Sequence, residues 1–215
     1  MKHFMYFIIF TAFMLASGCK FILIKMEGVK QPKLENQLSL SKFLLSSKVD
    51  TSEILCFKDT LMLNNFYASG IGSPDVCFFN KERKLIDYRS VESDCNANVS
   101  PFIDKIGSIN ALTPVPGKTM DEFIKGLVVV RDARDFKLED QDYEAYMIIY
   151  WAKYLGKVTK SHISEWQKIA NKVNKDKKKL RMVLVNVDYQ SFWGLRPSDL
   201  PKFDYYGAQE KAKKK

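Results

Sequence analysis

The chain is poor in the residues that build metal and thiol sites. It has two histidines, His3 and His162, and four cysteines, Cys19, Cys56, Cys77 and Cys95, and no two cysteines form a Cys-x-x-Cys pair. A zinc site therefore lacks ligands, and neither a metal nor a cofactor is expected. No Ser, Cys or carboxylate stands at a spacing that would make His162 a catalytic base, so it reads as a surface residue. Asp59 and Asp188 belong to no paired-carboxylate pattern of the kind acid/base work uses. Internal repeats are absent as well.

Charge of one sign is in excess. Lys and Arg number 34 against 25 Asp and Glu, giving a net charge of +9. Much of the surplus lies in 172–181, read as the exposed end of a helix with its following loop, and in the tail 211–215. No nucleic-acid recognition motif accompanies these runs, so nucleic acid is not expected as a partner. An anionic membrane surface suits them better. With 46% hydrophobic and 27% charged residues the rest has the composition of a soluble globular body, long enough for one large or two small domains.

The N-terminus is a targeting segment. Lys2 and His3 make a short basic start, 4–16 an apolar core, and Leu15-Ala16-Ser17-Gly18-Cys19 a small-residue stretch ending in cysteine. It resembles a bacterial lipoprotein signal peptide, with Leu15 one place earlier than that family's leucine. The resemblance implies cleavage before Cys19, a diacylglycerol thioether on that sulfur, and a body held at the bacterial cell envelope, facing the periplasm or exterior. Two alternatives stay open. An uncleaved apolar helix over 4–24 is long enough to span a bilayer, with Lys20 in its interior as the cost, and plain secretion would release the chain. With Cys19 lipidated three cysteines remain, so one thiol stays free or pairs between chains. Cys77 lies in an apolar strand and is expected buried and inert; Cys56 with Cys95 is the expected disulfide.

The expected organisation is a signal peptide over 1–18, a tether over 19–37, an N-terminal α/β module over 38–112, a Pro-rich linker over 113–119, a βαβ module over 120–206 and a basic tail over 207–215. In the first module we expect a helix at 38–45, a strand at 52–57, a helix at 60–69 ending at Gly70, a β-hairpin over 74–88 and a helix at 99–109. In the second, 120–124 reads as a helical turn and 127–131 as a strand. The apolar run 147–151 follows, then a turn at Gly156, a helix with Ile163, Trp166, Ala170 and Val173 at helical spacing, and a strand at 182–187. Strand, helix, strand in that order argues for a parallel pair in an α/β sheet.

The stretch Trp151-Ala152-Lys153-Tyr154-Leu155-Gly156-Lys157-Val158 resembles the active-site segment of the thioredoxin-like superfamily, an apolar strand running into W-A-x-W-C-G-x-C and a helix. The proline-opened hairpin at Ser73-Pro74 is similar to that family's later strands, which begin at a cis proline beside the active site. Pro201 is the alternative proline. The resemblance implies a three-layer sandwich with a mixed central sheet, either circularly permuted, because the hairpin precedes the βαβ unit, or completed by an N-terminal half-module.

Leu155 and Val158 stand where the two cysteines should be. Aliphatic side chains cannot ionise, attack a disulfide or hold one, so dithiol exchange there is excluded. The resemblance then implies a redox-inactive, membrane-anchored protein that binds a protein or peptide partner through Trp151 and Tyr154, beside Ser73 and Pro74. Two competitors are a thiol oxidoreductase or peroxidase using Cys56, Cys77 or Cys95, and a purely structural lipoprotein. The helix start with Lys157 and Lys160 also offers an anion site.

Overall fold

The computed structural model describes residues 27–45, 49–70, 73–89, 98–139, 143–175 and 179–202. Cys19, Cys95, the signal-peptide region and the basic tail lie outside them. Along the chain the elements are α1 (Gln37–Leu45), β1 (Ile54–Phe57), α2 (Thr60–Ala68), β2 (Asp75–Asn80), β3 (Leu85–Ile86), α3 (Val99–Asp104), α4 (Met120–Ile124), β4 (Leu127–Val129), β5 (Ala145–Trp151), α5 (Lys157–Val173) and β6 (Leu180–Asn186). No helix among the described residues is long and apolar enough to cross a membrane.

The six strands among the described residues form one mixed, open sheet in the order β3-β2-β5-β6-β1-β4. β5 runs parallel to β6, with Ala145 opposite Leu180 and Trp151 opposite Asn186. The crossover between them is α5, as the strand-helix-strand pattern required. β1 adds in parallel on the far side of β6, while β4 closes that edge antiparallel. On the other side of β5, β2 pairs antiparallel over its full length, Asp75 opposite Tyr150 and Asn80 opposite Ala145. Strands from both halves of the sequence thus interleave. The expected linker is part of the sheet's edge: Val115 N–H donates to the Leu85 carbonyl at 2.8 Å and Leu85 N–H to Lys118 at 3.0 Å.

Period-2 alternation sorts the central strand between two cores. Met147, Ile149 and Trp151 face a layer made by α1, α3 and α5, where Leu40, Leu44, Ile103, Ile163, Trp166 and Ala170 pack. Tyr146, Ile148 and Tyr150 face the opposite layer, where α2 supplies Leu63 and Phe66 and α4 supplies Met120. All seven β5 residues are buried, which is why its sequence reads as an unbroken apolar run. The result is an α/β sandwich with β5 at its centre.

Local chemistry fixes the ends of the elements near the site. Asp59 caps α2, its Oδ1 accepting from Met62 N–H at 2.9 Å. The β2–β3 turn is closed by Asn80 Oδ1, which accepts from Lys84 N–H at 2.9 Å. α5 begins only at Lys157. Gly156, at φ 66 and ψ −128, is not helical, and Lys153–Leu155 before it form a separate 3-10 turn.

Candidate functional site

The segment from Trp151 to Val158 leaves the carboxyl end of β5, the central strand. Its first member is core. Trp151 is 0% exposed and stacks on Phe43 of α1, ring centroids 6.0 Å apart and planes within 5°. The expected surface patch of Trp151 with Tyr154 does not exist in that form. Strand alternation sends Trp151 to the α1/α5 side, whereas Tyr154 and Leu155 pack, partly buried, against the opposite core. Val158 lies in the first turn of α5 and Leu155 precedes the helix, across the non-helical Gly156. The two positions therefore do not share one continuous helical start.

Ser73 and Pro74 come close to this segment through the sheet. Asp75 is registered opposite Tyr150, so Pro74 lies beside the Trp151 end of β5. The Ser73–Pro74 peptide bond is cis, the one such bond among the described residues. Pro201 is exposed, follows the Pro197–Asp199 3-10 turn and opens no strand.

A buried polar network that sequence reasoning passed over holds the loop from beneath. Asp188, 1% exposed, accepts from Lys153 N–H at 2.6 Å and Tyr154 N–H at 3.3 Å. Asn186 Nδ2 donates to Asp188 Oδ2 at 2.7 Å and to the Trp151 carbonyl at 3.3 Å. Gln190 Nε2 donates to Asn186 Oδ1 and to the Asp188 carbonyl, each at 2.8 Å. Burial pushes the Asp188 carboxyl up to about 6, with the charge of Glu35 adding to the rise, against the lowering effect of the Lys153, Asn186 and Tyr154 donors. The sequence did carry a signal for this cluster. Asn186, Asp188 and Gln190 continue the period-2 rhythm of β6 with polar residues, which on a buried strand end demands partners.

The expected tether is bound to the body over its described part. Lys30 N–H donates to the Tyr154 carbonyl at 2.8 Å, and the Glu27 carbonyl accepts from Lys157 N–H at 2.7 Å. The first free N–H of α5, the expected anion site between Lys157 and Lys160, thus already has a main-chain partner. Further on, Glu35 N–H donates to Tyr189 at 2.7 Å and the Glu35 carbonyl accepts from Ser191 N–H at 2.8 Å. The Glu35 side chain, 6% exposed in the whole residue, meets Lys153 Nζ at 2.5 Å and Ser39 Oγ at 2.5 Å.

Neither described cysteine is activated. Cys56, in β1, is a free and fully buried thiol that burial pushes up to about 12. Its expected disulfide partner, Cys95, lies outside the described residues. Cys77, in β2, is also free, and its thiol rises to about 12 through burial and the charge of Asp75, opposed by Arg89. His162 stacks on Trp166 with centroids 5.1 Å apart, a packing role. Among the described residues no group of three His, Cys, Asp or Glu is placed to hold a metal ion.

No family model matches the chain, and neither does any curated protein or solved structure.

Proposed function

We propose that the chain is a redox-inactive, thioredoxin-like protein of a bacterial envelope, lipid-anchored at Cys19, that binds an extended protein or peptide partner beside the loop at 153–158. The observation that carries this reading is the antiparallel pairing of β2, the strand that Ser73-Pro74 opens, with β5, which sets Pro74 next to the Trp151 end. A proline-opened strand beside a W-A-x-aromatic-x-G segment is the arrangement that the resemblance implies for a peptide-binding thioredoxin surface. Here the hairpin comes first in the sequence and the βαβ unit second, which fits a circular permutation. Leu155 and Val158 leave that surface without thiol chemistry.

A thiol enzyme using another cysteine is disfavoured by the two described thiols, which are held protonated at neutral pH. The purely structural reading draws support from a specific observation, the complete burial of Trp151.

Chemical crosslinking of the full-length protein in its own membrane separates binding from structure. A discrete adduct in the wild type, lost in Tyr154→Ala with Leu155→Asp at a temperature where the variant is still folded by circular dichroism, is the expected outcome. An adduct unaffected by the double change contradicts the proposed surface. For the anchor, incorporation of a labelled lipid precursor is expected in the wild type and absent in Cys19→Ser.

A further inference from the structure

The loop at 153–157 has two flanks. On one lies β2 with the cis Ser73–Pro74 bond, and on the other the chain leaving β6, with Tyr189, Gln190 and Ser191. The second flank is filled by residues 27–36. We propose that this β6-side flank is a binding groove for an extended peptide bearing a carboxylate, and that residues 27–36 are its intramolecular occupant. The inference rests on the partner-binding reading, and it adds a second, separate subsite that a partner must win from the chain itself.

Three observations support it. First, the segment is held as an added strand is held, by main chain to main chain. Glu35 forms a parallel bridge with Gln190, using its N–H toward Tyr189 at 2.7 Å and its carbonyl toward Ser191 at 2.8 Å. Two further bonds join Lys30 to Tyr154 and Glu27 to Lys157, at 2.8 and 2.7 Å. Such bonds recognise any extended backbone, so a second peptide can take the same place.

Second, the groove has a reading position. The Glu35 carboxylate enters a buried slot formed by Lys153 Nζ and Ser39 Oγ, each 2.5 Å away. The charged groups facing that slot are Lys153 and Asp188, the latter buried and held by the Lys153 and Tyr154 N–H groups. Pro32 is buried as well, while Lys30, Gln31 and Lys33 are exposed. A ligand thus needs an acidic residue at one position and a small apolar one three residues earlier.

Third, the loop is shaped for close backbone approach. A Cβ on Gly156 would lie 2.4 Å from the Glu27 carbonyl oxygen and 2.5 Å from that of Gly28. These are backbone atoms that cannot swing aside, so glycine at 156 is what lets the segment seat.

Because this occupant also joins the apolar N-terminus to the body, release frees about ten residues, roughly 30 Å of reach from the membrane. While covalently attached it competes at an effective concentration in the millimolar range. A partner peptide in free solution therefore meets a site that is closed until the occupant lets go.

The test uses the full-length chain in detergent and a synthetic ten-residue peptide with the sequence of 27–36. In the wild type, the bonded amides of the 27–36 stretch, Lys30 and Glu35, and those of Lys157 and Ser191 are expected to be protected from hydrogen exchange. Glu35→Lys places a cation against Lys153 and should raise exchange of that stretch at least tenfold with β5 and β6 amides unchanged. The added peptide should then restore protection at Lys157 and Ser191, at a concentration at least tenfold below that needed with wild type. A peptide carrying Lys in place of its glutamate should not. Lys30→Pro, which removes the donor to Tyr154, serves as a second release variant. The proposal is overturned if the wild-type segment exchanges like exposed coil. It is equally overturned if released variants show no protection at millimolar peptide, or if the Lys-containing peptide protects as well. A membrane crosslink that is absent from the wild type, or unaffected by the Tyr154→Ala, Leu155→Asp change, with these exchange results intact would instead count against the partner-binding reading alone.

Discussion

The two ends of the central sheet are built on opposite terms. At the carboxyl end of β5 and β6 the chain buries polar groups and pairs most of those in the network, Asp188 with two loop N–H groups, Asn186 with Gln190, Glu35 with Lys153 and Ser39, while Gln190 Oε1 and Trp151 Nε1 are buried without a hydrogen-bond partner. At the other end an open cleft of about 390 Å³ is lined by Asp50, Glu53, Arg131, Arg134, Arg181 and Asn174 among others. Its cations pair near the surface: Arg181 with Glu53 across the cleft at 3.1 Å, and Arg131 and Arg134 with the neighbouring Asp132 at 3.4 and 3.5 Å. This charge-lined cleft is thus not where the buried chemistry lies. Exposed pairs cost little to make or lose, whereas a buried carboxylate is retained only if its partners sit where its lone pairs point.

Substitutions at the two ends should expose that difference. Trp151→Ala removes a fully buried indole stacked on Phe43 and should destabilise by about 3–5 kcal/mol in denaturant unfolding. Arg131→Ala at the open end should stay within about 0.5 kcal/mol.

Next in size is the pH response of Asp188. Its folded pKa is about 6 against an ordinary 3.8, so the folded state holds the proton more tightly than the unfolded state. Stability should therefore rise as pH falls from above 6 toward 4, by up to roughly 3 kcal/mol. In Asp188→Asn that rise should be absent, and unfolding midpoints taken across pH 4–7 check it. A flat wild-type profile, or one falling toward acid in this window, would break the comparison.

Smaller again is the effect of Glu35→Gln, which keeps a hydrogen-bonding group in the slot but removes the charge facing Lys153. We expect a loss of about 1–2 kcal/mol, measured by thermal unfolding. Smallest is Arg134→Ala, with no change beyond about 0.5 kcal/mol.

Most of the scaffold was legible because its signals are side-chain patterns. The apolar run of β5, the helical spacing of Ile163, Trp166 and Ala170, and the apolar start of β6 specify a parallel βαβ unit, and the fold contains it. Ser73-Pro74 followed by an apolar run announced β2. What stayed hidden is carried by other means. Residues 27–36 are held largely through their backbone, which residue type does not announce, and their one side-chain anchor, Glu35, pairs with a lysine far away in the sequence. Glu35, Lys153 and Asp188 are separated by long stretches of chain and meet only because β5, β6 and the N-terminal segment converge. The misplacement of Trp151 was avoidable: it shares the parity of Met147 and Ile149 and so belongs to their side of the sheet. Its neighbours Tyr154 and Leu155, past the end of the strand, turn to the other side.

The central claim is that recognition belongs to the closed, aromatic end of the sheet and not to the open polar cleft. A photoreactive residue placed at position 158, compared with one at position 131, tests it in the full-length protein within its own membrane. The account predicts a discrete protein adduct from position 158, strengthened by Glu35→Lys, and none from position 131. An adduct from position 131 with none from 158 would contradict it.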